Sequence, residues 1–175
     1  MFLHFSILFD TITLIGFAGC GKTTIAPLLA QRLNYQWMDS DHWIENSTGK
    51  TISAIFEHEG ESYFREWEYR WLQTISDSTS TVYSVGGGLP CQNGYMEYLK
   101  AYSWVIYLKT DFPTLYSRLS EAKESRPLVK RLSYLELYHL FEQRLVYYEQ
   151  ADWHINAQLP ILEIVEKIVL AVSTG

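Results

Sequence analysis

The chain has 175 residues and a formal net charge of −6; 47% hydrophobic and 19% charged residues make a core-forming composition and exclude a disordered chain. The acidic balance, with a pI near 5.3, argues against a nucleic-acid partner, which calls for a basic field. A length close to the ~150 residues of one domain predicts a single unit over residues 1–175.

The opening run from Met1 to Phe9 (MFLHFSILF) is apolar, but it lacks a basic flank, is broken by Asp10 and leads to a glycine-rich loop. It therefore does not read as a secretory leader, and no later stretch nears the ~20 apolar residues of a membrane span, so no membrane partner is expected. Cys20, Cys91 and five scattered histidines show no disulfide or metal-ligand spacing. That usage predicts a reduced, cytoplasmic protein without a structural metal.

From there the pattern alternates. Strand-like runs at Thr11–Ile15, Tyr35–Met38, Thr81–Val85, Ser103–Leu108 and Trp153–Asn156 are separated by helical patterns. The helices are expected at Thr23–Leu33, Ser62–Ile75, Phe112–Ser120, Tyr134–Gln150 and Ile161–Val172. Strand–helix alternation predicts an α/β protein: a five-stranded parallel sheet between two helical layers, α/β/α. Ligands of such sheets bind beyond the carboxyl ends of the strands, so the polar clusters should follow strands.

After the first strand comes Gly16-Phe17-Ala18-Gly19-Cys20-Gly21-Lys22-Thr23, a complete G-x-x-x-x-G-K-[ST] phosphate loop opening a helix. The glycines allow backbone amides to curl around a phosphate, and the helix adds its positive dipole end. The nucleotide contacts are expected at Gly19, Cys20, Gly21, Lys22, Thr23 and Thr24. Lys22 would reach the β- and γ-phosphates of ATP, and the Thr23 hydroxyl would ligate Mg²⁺. Cys20 reads as a small filler, with oxidation of its thiol as the alternative. Pro27, one turn into the helix, removes a backbone bond to Thr23.

The second strand runs into Asp39-Ser40-Asp41. As an extended chain, positions 39 and 41 would face the same side, offering one carboxylate to a metal and one to a hydroxyl's proton. The next helical pattern carries Arg65 and Glu68 at i and i+3, so that Glu68 can steady a guanidinium fork suited to a carboxylate, with Phe64 as a buried anchor. After the third strand, Gly86-Gly87-Gly88 brings backbone close to something and offers amides. The segment from Ser120 to Leu132 is polar and inexpensive to move.

The order and spacing of these motifs resemble the shikimate kinase family: the phosphate loop at 16–23, Asp39-Ser40-Asp41, Phe64-Arg65-Glu66-Trp67-Glu68, and the triple glycine. The resemblance covers about Thr13 to Asn156. It implies a P-loop kinase related to the nucleoside monophosphate kinases, with strand order 2-3-1-4-5, a substrate region near 39–70 and a lid near 120–132. It further implies transfer of the ATP γ-phosphoryl group to the 3-hydroxyl of shikimate, giving shikimate 3-phosphate in aromatic amino acid biosynthesis. By the same resemblance, Arg65, Arg144 and Gly86–Gly88 bind shikimate. Asp41 binds it too and takes the proton, with Lys22 and Arg126 catalytic beside it; Asp39 and Thr23 serve the metal. Arg126-Pro127-Leu128 matches the lid motif that meets the ATP phosphates, and Arg118 stands against the adenine. The chain departs from the family's R-x-P-L-Y, reading Arg144-Leu145-Val146-Tyr147-Tyr148, with one residue fewer before Ala151. The protein is expected to be a monomer. Alternatives are a kinase of another small hydroxy acid such as gluconate, a nucleoside monophosphate kinase (for which no base-binding insertion is visible), and a non-catalytic nucleotide-binding regulator.

Overall fold

A computed structural model describes residues 10–121 and 132–174. The Met1–Phe9 run and the lid motif with Arg126 lie outside the described residues. Five strands form one sheet: β1 (Thr11–Ile15), β2 (Gln36–Asp39), β3 (Thr81–Ser84), β4 (Trp104–Lys109) and β5 (Trp153–Asn156). Their order is β2-β3-β1-β4-β5, as expected, and every neighbouring pair is parallel. All residues of β1 and β3 are buried, because helices cover both faces of the sheet centre; the edge strands β2 and β5 keep exposed positions.

The helices are α1 (Lys22–Leu33), α2 (Ser40–Thr48), α3 (Ile52–His58), α4 (Gly60–Leu72), α5 (Tyr95–Tyr102), α6 (Phe112–Glu121), α7 (Tyr134–Tyr148) and α8 (Ile161–Thr174). Two short 3₁₀ turns, Ile75–Asp77 and Leu89–Cys91, connect them to the sheet. α1 packs against α8, and α6 against α7. α1 runs through Pro27 without a break. The expected single helix from Ser62 to Ile75 is shorter at its end: α4 stops at Leu72, and a 3₁₀ turn takes up Ile75.

Sequence reading did not foresee α2, α3 or α5. The first two, with α4, pack around a small core of their own, built on Ile44, Ile55 and Phe64 and flanked by Trp43, Phe56 and Trp67. Phe64, 5% exposed, is the anchor expected of it. Its neighbour Arg65 reaches Gly88, in the segment that follows β3.

The sheet topology places the opening. The connection leaving β1 runs outward to β2, whereas the one leaving β3 crosses β1 to reach β4. Chains that depart in opposite directions from adjacent strands leave a crevice between their carboxyl ends. The phosphate loop and the triple glycine both enter it.

Candidate active site

The phosphate loop closes on itself. Gly16, Gly19 and Gly21 hold positive φ angles, and Gly21, at φ 103°, caps α1. The Lys22 ammonium donates to the carbonyls of Gly16 at 2.6 Å and Phe17 at 3.2 Å, and lies 3.5 Å from Cys20 Sγ. Thr23 and Thr24 stand exposed in the first turn. Cys20 is 1% exposed and belongs to the main core, which supports the filler reading of this residue.

The paired aspartates are arranged differently from the expected extended pair. Asp39 ends β2 and Asp41 already lies in the first turn of α2. The reason is capping: Asp39 Oδ1 accepts from the amides of Asp41 (3.0 Å) and His42 (3.1 Å), which starts a helix where a strand would otherwise continue. Its Oδ2 accepts from Ser84 Oγ at 2.5 Å. Both carboxyl groups nonetheless line one cleft of about 420 Å³ with Lys22, Thr23, Gly86 and Gly87. Burial first, then the negative charge of Asp39, lifts the Asp41 carboxyl to about 6, with Lys22 opposing. Ser40 between them is fully buried; its hydroxyl accepts the Gly86 amide at 2.8 Å and lies 3.4 Å from Asp41 Oδ1.

Two guanidinium groups arrive from separate helices. Arg65 on α4 is gripped by Glu68 (Nη1 to Oε2, 2.5 Å) and by Glu61 (Nη2 to Oε1, 2.7 Å). Glu68 is 1% exposed, and burial raises its carboxyl to about 7 against the pull of Arg65. Arg144 on α7 lies over the Phe17 ring at 5.6 Å. Both forks close on the triple glycine: a Cβ on Gly88 would lie 3.2 Å from Arg144 Nη2 and 3.3 Å from Arg65 Nη1. A side chain there would have to push both guanidinium groups back by a few tenths of an ångström. The one-residue-shorter segment after Arg144 has not displaced it, since α7 continues unbroken to Tyr148.

Arg118 donates to the Gly19 carbonyl at 3.3 Å on the outer side of the loop. Around it the cleft is walled by Leu119, Ala157, Leu159, Ile161 and Ile164, an apolar surface fit for a flat base. Sequence reading missed this wall. Its signal was the strand-end rule applied to β5, after which Ala157 and Leu159 follow at once. Glu61, Ser40 and Tyr148, whose hydroxyl donates to the Gly87 carbonyl at 2.6 Å, were also missed; of these only Tyr148 had a signal, as the final tyrosine of the R-x-P-L-Y pattern that begins at Arg144.

The donors suit magnesium carried by phosphates better than a protein cage. Among the described residues, no group of three or more His, Cys, Asp or Glu could hold a metal. Asp39 already accepts three hydrogen bonds of the roughly four its carboxylate can take, so it would serve a hydrated ion through water, next to the Thr23 hydroxyl.

A family model described as shikimate kinase matches residues 18–173. A shikimate kinase from Persephonella marina is 40% identical over 147 residues, covering 84% of this chain and 88% of its own length. The one from Aquifex aeolicus is 35% identical over 93% of this chain and 95% of its own. Among solved structures, shikimate kinase from Acinetobacter baumannii in complex with shikimate superposes with a TM-score of 0.87 at 33% identity, covering 95% of this chain and 94% of that one. The fold, the phosphate loop and these matches along nearly the whole length agree: the chain belongs to the shikimate kinase family.

Proposed function

We propose that this chain is an ATP-dependent shikimate kinase, transferring the γ-phosphoryl group to the 3-hydroxyl of shikimate and releasing ADP and shikimate 3-phosphate. The observation that carries the choice of acceptor is the convergence of Arg65 and Arg144 on Gly88, beside the cleft that holds Asp41 and Lys22. Two planar forks on one small space suit a carboxylate, which accepts paired hydrogen bonds from each.

In this reading ATP lies along Gly19–Thr24, its base between Arg118 and the apolar wall. Shikimate is held by Arg65, Arg144 and the Gly86–Gly88 segment, with its 3-hydroxyl toward Asp41. A carboxyl lifted to about 6 is still largely ionised at neutral pH, yet basic enough to take the hydroxyl's proton as the phosphoryl group moves. Lys22 exchanges a loop carbonyl for a phosphate oxygen and offsets charge on the transferring group, as does Arg126 from the lid. Magnesium, when bound through Thr23 and Asp39, supplies charge neutralisation at the phosphates. The enzyme acts as a cytoplasmic monomer; two free cysteines packed at the site suit a reducing compartment.

A coupled ADP-release assay with shikimate, with gluconate and with no acceptor tests the assignment. Shikimate alone should drive turnover, and Asp41→Asn should lower kcat by about 10²–10⁴-fold with the KM for ATP nearly unchanged. Turnover indifferent to the acceptor, or faster with gluconate, refutes it.

A further inference from the structure

The triple glycine is held from several sides. Ser40 accepts the Gly86 amide at 2.8 Å, Gln92 donates to the Gly88 carbonyl at 3.2 Å, and Tyr148 donates to the Gly87 carbonyl at 2.6 Å. The last bond differs in kind. Tyr148 is fully buried, and burial pushes its phenol well above the ordinary range, so it stays a donor throughout the working pH range. Arg144 and Tyr148 are four residues apart on α7 and therefore share a face. A Cβ on Gly87 would lie 3.3 Å from the Tyr148 hydroxyl and 3.4 Å from Arg144 Nη1, so one helical face addresses one glycine twice.

We propose that Tyr148 is a positioning residue for the acceptor site: its hydroxyl fixes the peptide plane between Gly87 and Gly88, and with it the backbone amide and the Arg144 fork that receive the substrate's carboxylate. The peptide bond is planar and trans, so the Gly87 carbonyl and the Gly88 amide point in opposite directions. Pinning the carbonyl toward α7 therefore aims the Gly88 N–H away from it. Loss of the hydroxyl frees that plane to rotate and leaves a half-buried carbonyl without its strongest donor, since Cys91 Sγ, at 3.7 Å, is a weak one. The phosphate loop makes no bond to Tyr148, so ATP should be indifferent to the change.

This inference rests on the shikimate kinase reading, and the wild-type assay separates the two: without shikimate-dependent ADP release from wild type, it is that reading which fails. Given such release, Tyr148→Phe is expected to raise the KM for shikimate roughly tenfold while the KM for ATP stays within about twofold. Tyr107→Phe is the control, because its ring lies 5.3 Å from that of Tyr148 and is equally buried, but packs against Gly16 of the phosphate loop rather than the triple glycine. An unchanged KM for shikimate in Tyr148→Phe overturns the proposal. So does a loss in which both KM values rise together and Tyr107→Phe behaves alike, the mark of general loosening. A measurement on wild type avoids dependence on the variant's folding. With tyrosines labelled at Cζ, the Tyr148 hydroxyl proton should exchange slowly with water and shift on adding shikimate, but not on adding ADP. Rapid exchange, or indifference to shikimate, overturns the assignment.

Discussion

Replacing Gly86 by alanine probes the site through a single methyl group. The backbone at Gly86 has no positive φ, so alanine fits the main chain. The new Cβ, however, would sit 2.8 Å from Asp41 Oδ1, whereas ordinary contact begins near ~3.5 Å. Asp41 is half-buried, and Ser40 and α2 hold it in place, so its carboxylate must retreat by roughly 0.7 Å, away from the glycines. Displacing a proton acceptor by about 1 Å costs up to ~10²-fold in rate, so kcat should fall between about 10- and 100-fold. Contacts to the nucleotide are untouched, and the KM for ATP should hold. The assay is steady-state ADP release for wild type, Gly86→Ala, Asp41→Asn and the double variant. If the methyl group acts by moving Asp41, it costs little further once that carboxylate is already disabled, and the two losses are far from additive. Full additivity, or a wild-type kcat in Gly86→Ala, refutes the reasoning.

Arg65→Ala and Arg144→Ala should each raise the KM for shikimate by about 10- to 100-fold, as expected for losing charge-assisted hydrogen bonds, with ATP little affected; equal rises for both substrates would count against the pocket. Arg144→Lys should recover only part of the loss, because an ammonium has no fork. Ser40→Ala leaves the half-buried Gly86 amide unpaired and should lower stability by about 1–3 kcal/mol in denaturant unfolding together with kcat; an unchanged kcat would detach Ser40 from the site. Glu68 sets a pH dependence. Its carboxyl is raised in the folded protein from 4.5 to about 7, chiefly by burial, so the folded state keeps a proton that the unfolded chain gives up. That contribution is full below pH ~4.5 and is lost as pH rises through about 7, so wild-type Tm should decline across this window. Glu68→Gln should lack that component of the slope, and parallel profiles would refute the assignment.

Residues close together in the chain made the phosphate loop legible. A buried strand, glycines at fixed offsets and Lys22-Thr23 opening a helix depend on about a dozen neighbouring positions, and alternating periodicity identified the parallel sheet. Where two local preferences compete, reading the sequence failed. Asp39-Ser40-Asp41 can extend a strand or cap a helix, and the cap prevailed once Ser84 from the neighbouring strand held the second oxygen of Asp39.

What neighbouring residues cannot determine is which distant groups meet. That Arg65, Gly86–Gly88 and Arg144 face one another was foreseen only by likeness to a family, because each lies on a different element and nothing in their spacing joins them. Glu61 and the apolar wall beyond Arg118 had no motif at all, and Tyr148, at the tyrosine position of R-x-P-L-Y, carried nothing to say what it would bond. Helix packing around the two cores decided them, by fixing which side of α4 and α7 turns inward. Burial, a property of the assembled protein alone, then turned Asp41 from an ordinary surface carboxylate into a base near neutrality.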